Sequence, residues 1–246
     1  MTPGASAFEQ ALDQLGAAIV GGELEAGAAD TIEGFIARTG ASRSVVREVT
    51  RVLGGLGMLS AGRRVGLRIL PISEWDLLDP RVIRWRLEGP DHERQLAELR
   101  SLRHAVEPAA AAAAAREIRD GRGSTRALDA AAEAMVEAAD GPESGAFLAA
   151  DRAFHAEVLA LSGNAMLGRL RAVIEEGLRH RATVERGEQA PDRHDLGLHQ
   201  EVAAAIGAGD EARAAARMRE IIERATANDD VAPALRWSAL RDDTAR

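Results

Sequence analysis

Asp151 and His155 stand four residues apart, and His199 follows later in the same helical half of the chain. Positions i and i+4 of a helix share a face, so this carboxylate and imidazole point the same way. Imidazole and carboxylate donors suit Zn, Ni and Mn alike. The same groups also serve as a buried hydrogen-bonded pair that touches a small effector directly. Arg103 lies one helical turn before Glu107. A guanidinium matches a carboxylate bidentately, so Arg103 is a candidate anchor for an anion. Asn164, after Ser162-Gly163, reads either as a helix cap alone or as a further polar group lining that cavity. His180 and Arg181 fall on a helix near the site, with a facing that spacing leaves open. His104 and His194 read as surface residues.

A second constellation asks for a different partner. Gly40-Ala41-Ser42-Arg43-Ser44-Val45-Val46-Arg47-Glu48 joins two short helical patterns across a turn. Ser42 is a natural N-cap for the second, whose first turns carry Arg43 and Arg47. A helix-turn-helix presents the N-terminal end of its recognition helix to the major groove in this way. Arg63, Arg64 and Arg68 follow in a short alternating hairpin, where a wing would sit. The expected partner is double-stranded DNA.

The overall net charge of −8 argues against nucleic acid until it is mapped. Residues 38–68 hold seven Arg and one acid, Glu48, whereas residues 72–246 hold 24 Arg against 32 acids. Exposed charges are screened beyond roughly 8–10 Å at physiological salt, so a basic surface on an acidic protein still binds phosphates. Cysteine is absent, which excludes disulfides and thiolate metal sites. The N-terminus lacks the basic-then-apolar pattern of a signal peptide. No apolar run reaches the roughly 18 residues of a membrane span. The expectation is a soluble cytoplasmic protein with no membrane partner.

The elements that position these residues follow from periodicity. Phe8, Leu12, Leu15 and Ile19 form one helical stripe. Helices are predicted over 31–38 and 42–54. Strands flank a turn at Ala61-Gly62-Arg63-Arg64, and Pro71 ends the unit. Beyond Pro71 only helices are predicted: 80–88, 92–121 (broken near Pro108), 125–139, 145–161, 165–187, 195–207 and 211–228. The run Ala109–Ala115 suits close helix packing. The fold class is mainly α: an N-terminal winged helix-turn-helix plus a C-terminal all-α antiparallel helical bundle. The expected domains are 1–72 for DNA, a linker helix region at 73–90, an effector-binding bundle at 91–229 and a tail at 230–246. Trp75, Leu77, Leu78 and Trp85 are expected to pack the linker against the bundle and couple the domains.

The chain resembles the GntR superfamily of transcription regulators, FadR type, with an FCD effector domain. The likeness rests on Ile19-x-x-Gly22-x-Leu24-x-x-Gly27, the Gly40–Glu48 run, Leu53-x-x-Leu56-Gly57-Met58-Leu59, Arg103-x-x-x-Glu107-Pro108, Asp151-x-x-x-His155, Ser162-Gly163-Asn164 and His199-x-x-x-Ala203-x-x-Ile206. It implies a homodimeric, ligand-controlled repressor or activator acting on a short palindrome. It also implies that Ser42, Arg43, Ser44 and Arg47 meet phosphates and base edges. Gly62 and Arg63 would approach the minor groove, and Arg38 and Arg51 would add backbone contacts. An Arg that often contacts DNA in the family is replaced here by Glu33 or Gly34.

In the family an Asp and three His hold a divalent metal. Asp151, His155 and His199 supply three ligands, but Ile221 stands where the last His is expected. Three protein ligands still leave open positions for water or an effector carboxylate. The segment Trp75-Asp76-Leu77-Leu78-Asp79-Pro80-x-Val82-Ile83-x-Trp85 resembles regulators that sense hexonates such as galactonate or gluconate, which points to a sugar-acid effector. Two alternatives stand beside this one. A metal-dependent helical-bundle enzyme would use the same three ligands, yet no further constellation supplies a general base. An acyl-CoA-responsive regulator would need a wide apolar cavity.

Overall fold

The computed structural model describes residues 6–62, 66–139, 144–184 and 193–225. Arg63, Arg64, the tail over 230–246 and the side chains of His180 and Arg181 lie outside the described residues. Internal contacts divide the chain into two compact units between Leu96 and Ala97.

The N-terminal unit is a winged helix-turn-helix. Helix α1 (Ala7–Val20) opens on a capping box between Ser6 and Glu9 and buries Leu12, Leu15 and Ile19. Strand β1 (Ala29–Asp30) precedes α2 (Ile32–Thr39) and α3 (Arg43–Gly55). Strands β2 (Leu59–Gly62) and β3 (Gly66–Ile69) pair antiparallel with Leu59 opposite Ile69 and Gly62 opposite Gly66. The sheet order is β1-β3-β2. Strand β1 escaped the sequence reading because two residues carry no detectable alternation. It is held by its register, Ala29 opposite Arg68 and Asp30 opposite Leu67. Phe35, Val46, Val49, Leu53, Met58 and Ile69 close the core, each contributing about 1.5–3 kcal/mol by burial.

Helix α4 (Pro80–Glu88) corrects an expectation. Val82 and Trp85 belong to the core of this N-terminal unit, not to that of the bundle. Trp85 packs against α1 at Gly16, and its Nε1 donates to Asp13 Oδ1 at 3.0 Å. Trp75 Nε1 donates to the Leu70 carbonyl at 2.9 Å, pinning the linker's start to the end of the sheet.

Past Leu96 the second unit is a helical bundle: the rest of α5 (His92–Arg119), α6 (Arg126–Ala139), α7 (Ser144–Leu161), α8 (Ala165–Arg169), α9 (Arg171–Val184), α10 (Arg193–Gly207) and α11 over residues 211–225. Helix α5 runs through Pro108 without the expected break. Proline costs a helix one internal hydrogen bond, and here the packed alanine face carries the helix past it. Ala110, Ala111, Ala114 and Ala115 are wholly buried in a core shared with Leu128, Met135, Phe154, Val158, Val202 and Ile206. The predicted helix over 165–187 is two helices, parted at Leu170. No helix among the described residues is long and apolar enough to cross a membrane.

Candidate functional site

The first site is the outer face of α3. Gly40 caps α2 in the left-handed region (φ 66°) and donates its N–H to the Ile36 carbonyl at 2.8 Å. A glycine adopts that conformation at no steric cost, so the chain turns sharply into α3. Ser42 caps α3, its Oγ accepting from the Val45 N–H. It also lies 3.0 Å from Ser44 Oγ. Val46, Val49 and Leu53 anchor the inner face, leaving Arg43, Ser44, Arg47 and Arg51 exposed on the other. Arg38 extends from the end of α2 and reaches Asp30 Oδ2 at 3.5 Å. Gly62 ends β2 beside the connection at 63–65. Arg68 is committed to the sheet, donating to the Gly27 carbonyl at 3.2 Å.

The second site is a buried polar cluster inside the bundle. Helix α5 contributes Arg103 and Glu107, α7 contributes Asp151 and His155, and α10 contributes His199. Arg103 Nε donates to Glu107 Oε1 at 2.5 Å. His155 Nδ1 donates to the other carboxylate oxygen, Oε2. That bond fixes the ring so that Nε2 turns toward Asp151 Oδ1, 3.7 Å away, and toward Arg103 Nη2 at 3.4 Å. His199 is held in the same sense. Its Nδ1 donates to the Asp195 carbonyl at 2.6 Å, and its Nε2 stands 3.3 Å from Asp151 Oδ1. Phe154 forms a wall, edge-to-face with both imidazoles at centroid distances of 5.8 and 5.0 Å.

Electrostatics keep Glu107 ionised. Burial alone would raise the Glu107 pKa. The Arg103 guanidinium and the His155 ring outweigh it and hold the carboxyl down at about 2. A buried ion pair of this kind persists because each partner would otherwise be an uncompensated charge.

The donor set fits a divalent cation. The ligating atoms of Asp151, His155 and His199 all lie within 4.8 Å of one another. Metal–nitrogen and metal–oxygen bonds of about 2.1 Å place neighbouring ligand atoms roughly 3.0–3.5 Å apart, close to the 3.3 and 3.7 Å found here. His199 Nε2 is buried with no hydrogen-bond partner. In the neutral ring its proton is on Nδ1, so a lone pair faces a carboxylate oxygen. That juxtaposition is favourable only with positive charge between the two atoms.

The structure thus brings together Arg103, Asp151, His155 and His199. It does not bring Asn164 to them. Asn164 is exposed, and its Oδ1 accepts from the Met166 and Leu167 N–H groups at the start of α8. Ile221 is buried in the apolar core of the bundle. His104 and His194 are about half exposed, as expected. Glu107 and Asp195 were not singled out as site residues. A lone acid one turn after Arg103, beside a run of alanines, was the available signal for Glu107. Asp195 acts through its backbone carbonyl, which sequence does not advertise.

A winged helix-turn-helix joined to a helical bundle with a buried histidine–carboxylate cluster defines a class of transcription regulator. Residues 98–224 match the FCD domain, and the chain belongs to the GntR family of regulators that carry it. It is a transcription regulator and not an enzyme. It is 31% identical over 168 residues to the galactonate operon transcriptional repressor of Escherichia coli K12, covering 67% of this chain and 71% of that protein. It is 34% identical over 149 residues to a probable D-xylose utilization operon transcriptional repressor of Paenarthrobacter nicotinovorans, covering 61% of this chain and 56% of that one. Among solved structures, Lar of Listeria monocytogenes shares the fold with a TM-score of 0.55 at 15% identity, over 92% of this chain and 98% of that one. E. coli McbR/YncC does so with a TM-score of 0.50 at 18% identity, over 91% and 96%.

Proposed function

We propose that this protein is a homodimeric cytoplasmic repressor whose hold on a palindromic operator is controlled by a small sugar acid. The carrying observation is the buried cluster of Arg103, Glu107, Asp151, His155 and His199 in a bundle whose core is mostly aliphatic. In this reading residues 1–72 read DNA, 73–90 link and 91–229 sense. Ser42 and Ser44 position phosphates. Arg43 and Arg47 address base edges, where a bidentate Arg–guanine pair discriminates by roughly 1–3 kcal/mol. Arg38, Gly62 and Arg63 complete the contact.

Asp151, His155 and His199 would hold a divalent cation, which supplies positive charge and open positions for an oxyanion. Arg103, held by Glu107 through Nε and by His155 through Nη2, would lend the site a positive charge for the effector carboxylate. The galactonate operon repressor among its relatives supports a hexonate. A coupling of about 1–3 kcal/mol between effector and operator is enough for regulation.

The test is thermal unfolding against galactonate, gluconate, lactate and acyl-CoAs, each with and without EDTA. A hexonate shift abolished by EDTA supports a metal-dependent sensor. A shift that survives EDTA supports anchoring by Arg103 alone. Stabilisation by an acyl-CoA and by no sugar acid overturns the hexonate assignment.

A further inference from the structure

The N-terminus of α2 places an acid in the middle of the basic face. Glu33 Oε1 lies 2.8 Å from Arg43 Nη2, with both side chains exposed. Glu33 is the second residue of α2, after the Thr31 N-cap, and Arg43 is the first residue of α3. The two helix N-termini therefore converge on one carboxylate–guanidinium pair at the edge meant for DNA. The Glu33 pKa is lowered, first by its own backbone N–H, then by Arg43 against a small burial effect, with Arg47 adding to it. Arg47 lies one turn along α3, so this carboxylate feels both expected DNA-reading arginines.

We propose that Glu33 is a specificity-determining residue of the DNA interface, an internal anion that occupies Arg43 and opposes phosphate contacts. The proposal rests on the DNA-reading role of α3. A planar guanidinium carries five N–H donors in a rigid fork. Arg43 can give one edge to Glu33 and present another to guanine O6 and N7, so the pair survives on a base-specific complex. On mixed-sequence DNA the backbone phosphate is the main attraction. There Glu33 competes for the same donors and repels the phosphate. The acid thus lowers background binding more than specific binding.

An exposed pair of this kind contributes little to folding, so the Glu33→Gln variant keeps the wild-type Tm and isolates the electrostatic effect. The probes are a mixed-sequence duplex and the duplex most enriched by the wild-type protein from a random library. Affinity is measured across salt for the wild type and for Glu33→Gln, Arg43→Ala and Arg47→Ala. Glu33→Gln is expected to bind the mixed-sequence duplex about threefold to tenfold tighter at low salt. Its log–log salt slope should steepen by up to about 0.9. Its preference for the enriched duplex should fall by a similar factor. Unchanged or weaker binding by Glu33→Gln, with Arg43→Ala still impaired, overturns the role of Glu33 alone. Wild-type binding by both arginine variants overturns the DNA-reading face and this proposal with it.

Discussion

Gly16 and Trp85 are shaped to one another: a Cβ at Gly16 would fall 2.6 Å from the indole Cδ2 and Cε2 atoms. The contact fixes where α4 lies on α1. Gly16→Ala gains about 1 kcal/mol of helix propensity and loses about 1–3 kcal/mol to overpacking. The expected net result is a lower Tm. In a Trp85→Leu background the same change should cost less, because the smaller side chain vacates the volume. A Tm for Gly16→Ala at or above the wild type would show that Trp85 is not held there.

Glu107 carries the second prediction. Glu107→Gln removes the carboxylate to which Arg103 Nε donates. Breaking a buried pair from one side costs about 3–5 kcal/mol, so a clear drop in Tm is expected at neutral pH. The pH dependence has a definite sign. Glu107 is held at about 2 against an ordinary value of 4.5. A carboxyl depressed in the fold contributes stability that is present above its unfolded pKa and is lost as pH falls toward the folded one. The gap between wild type and Glu107→Gln should therefore narrow between pH 4.5 and 2. A gap that stays constant through that window would remove the ion pair as its cause.

Asp151 tests the metal. Zn or Ni added to the wild type is expected to raise the Tm in proportion to the logarithm of free metal over Kd, and EDTA should reverse it. Asp151→Asn removes the only carboxylate ligand of the set and should abolish the shift. Equal shifts in both proteins would place the ion elsewhere.

Ile221→His puts an imidazole where the family likeness implies a fourth ligand. Losing an outer-shell partner alone changes metal affinity about 10–100-fold, so a gained ligand should tighten binding by no less than about tenfold. The apo variant should melt earlier, because a polar ring replaces a packed aliphatic. Metal titration against a competing chelator reads the affinity directly.

The sequence made the two-part architecture legible through residues with strong local signatures. Ser42 was readable as an N-cap, and Val46, Val49 and Leu53 as an inward stripe. Asp151 and His155 were readable as a pair because helical spacing puts them on one face. The approach of His199 to within 3.3 Å of Asp151 was suggested by the family likeness and needed the packing of α10 to appear. Trp85 was assigned to the wrong core, because its periodicity shows that it is buried but not against what. Pro108 was over-weighted as a breaker, since local propensity ignores the tertiary contacts of Ala110 and Ala111.

Gly34 leaves room for the Asp30 carboxylate at the start of α2. A Cβ there would lie 2.0 Å from Asp30 Oδ1. That carboxylate also accepts from the Thr31 N–H at 2.7 Å and reaches Arg38 through Oδ2. Any side chain at 34 would force Asp30 to swing out and release both partners. The clash is with the mobile end of a side chain, so a larger residue at 34 costs these two contacts and not the fold. Gly34 thereby lets Asp30 tie the first turn of α2, through the Thr31 N–H, to Arg38 at its last.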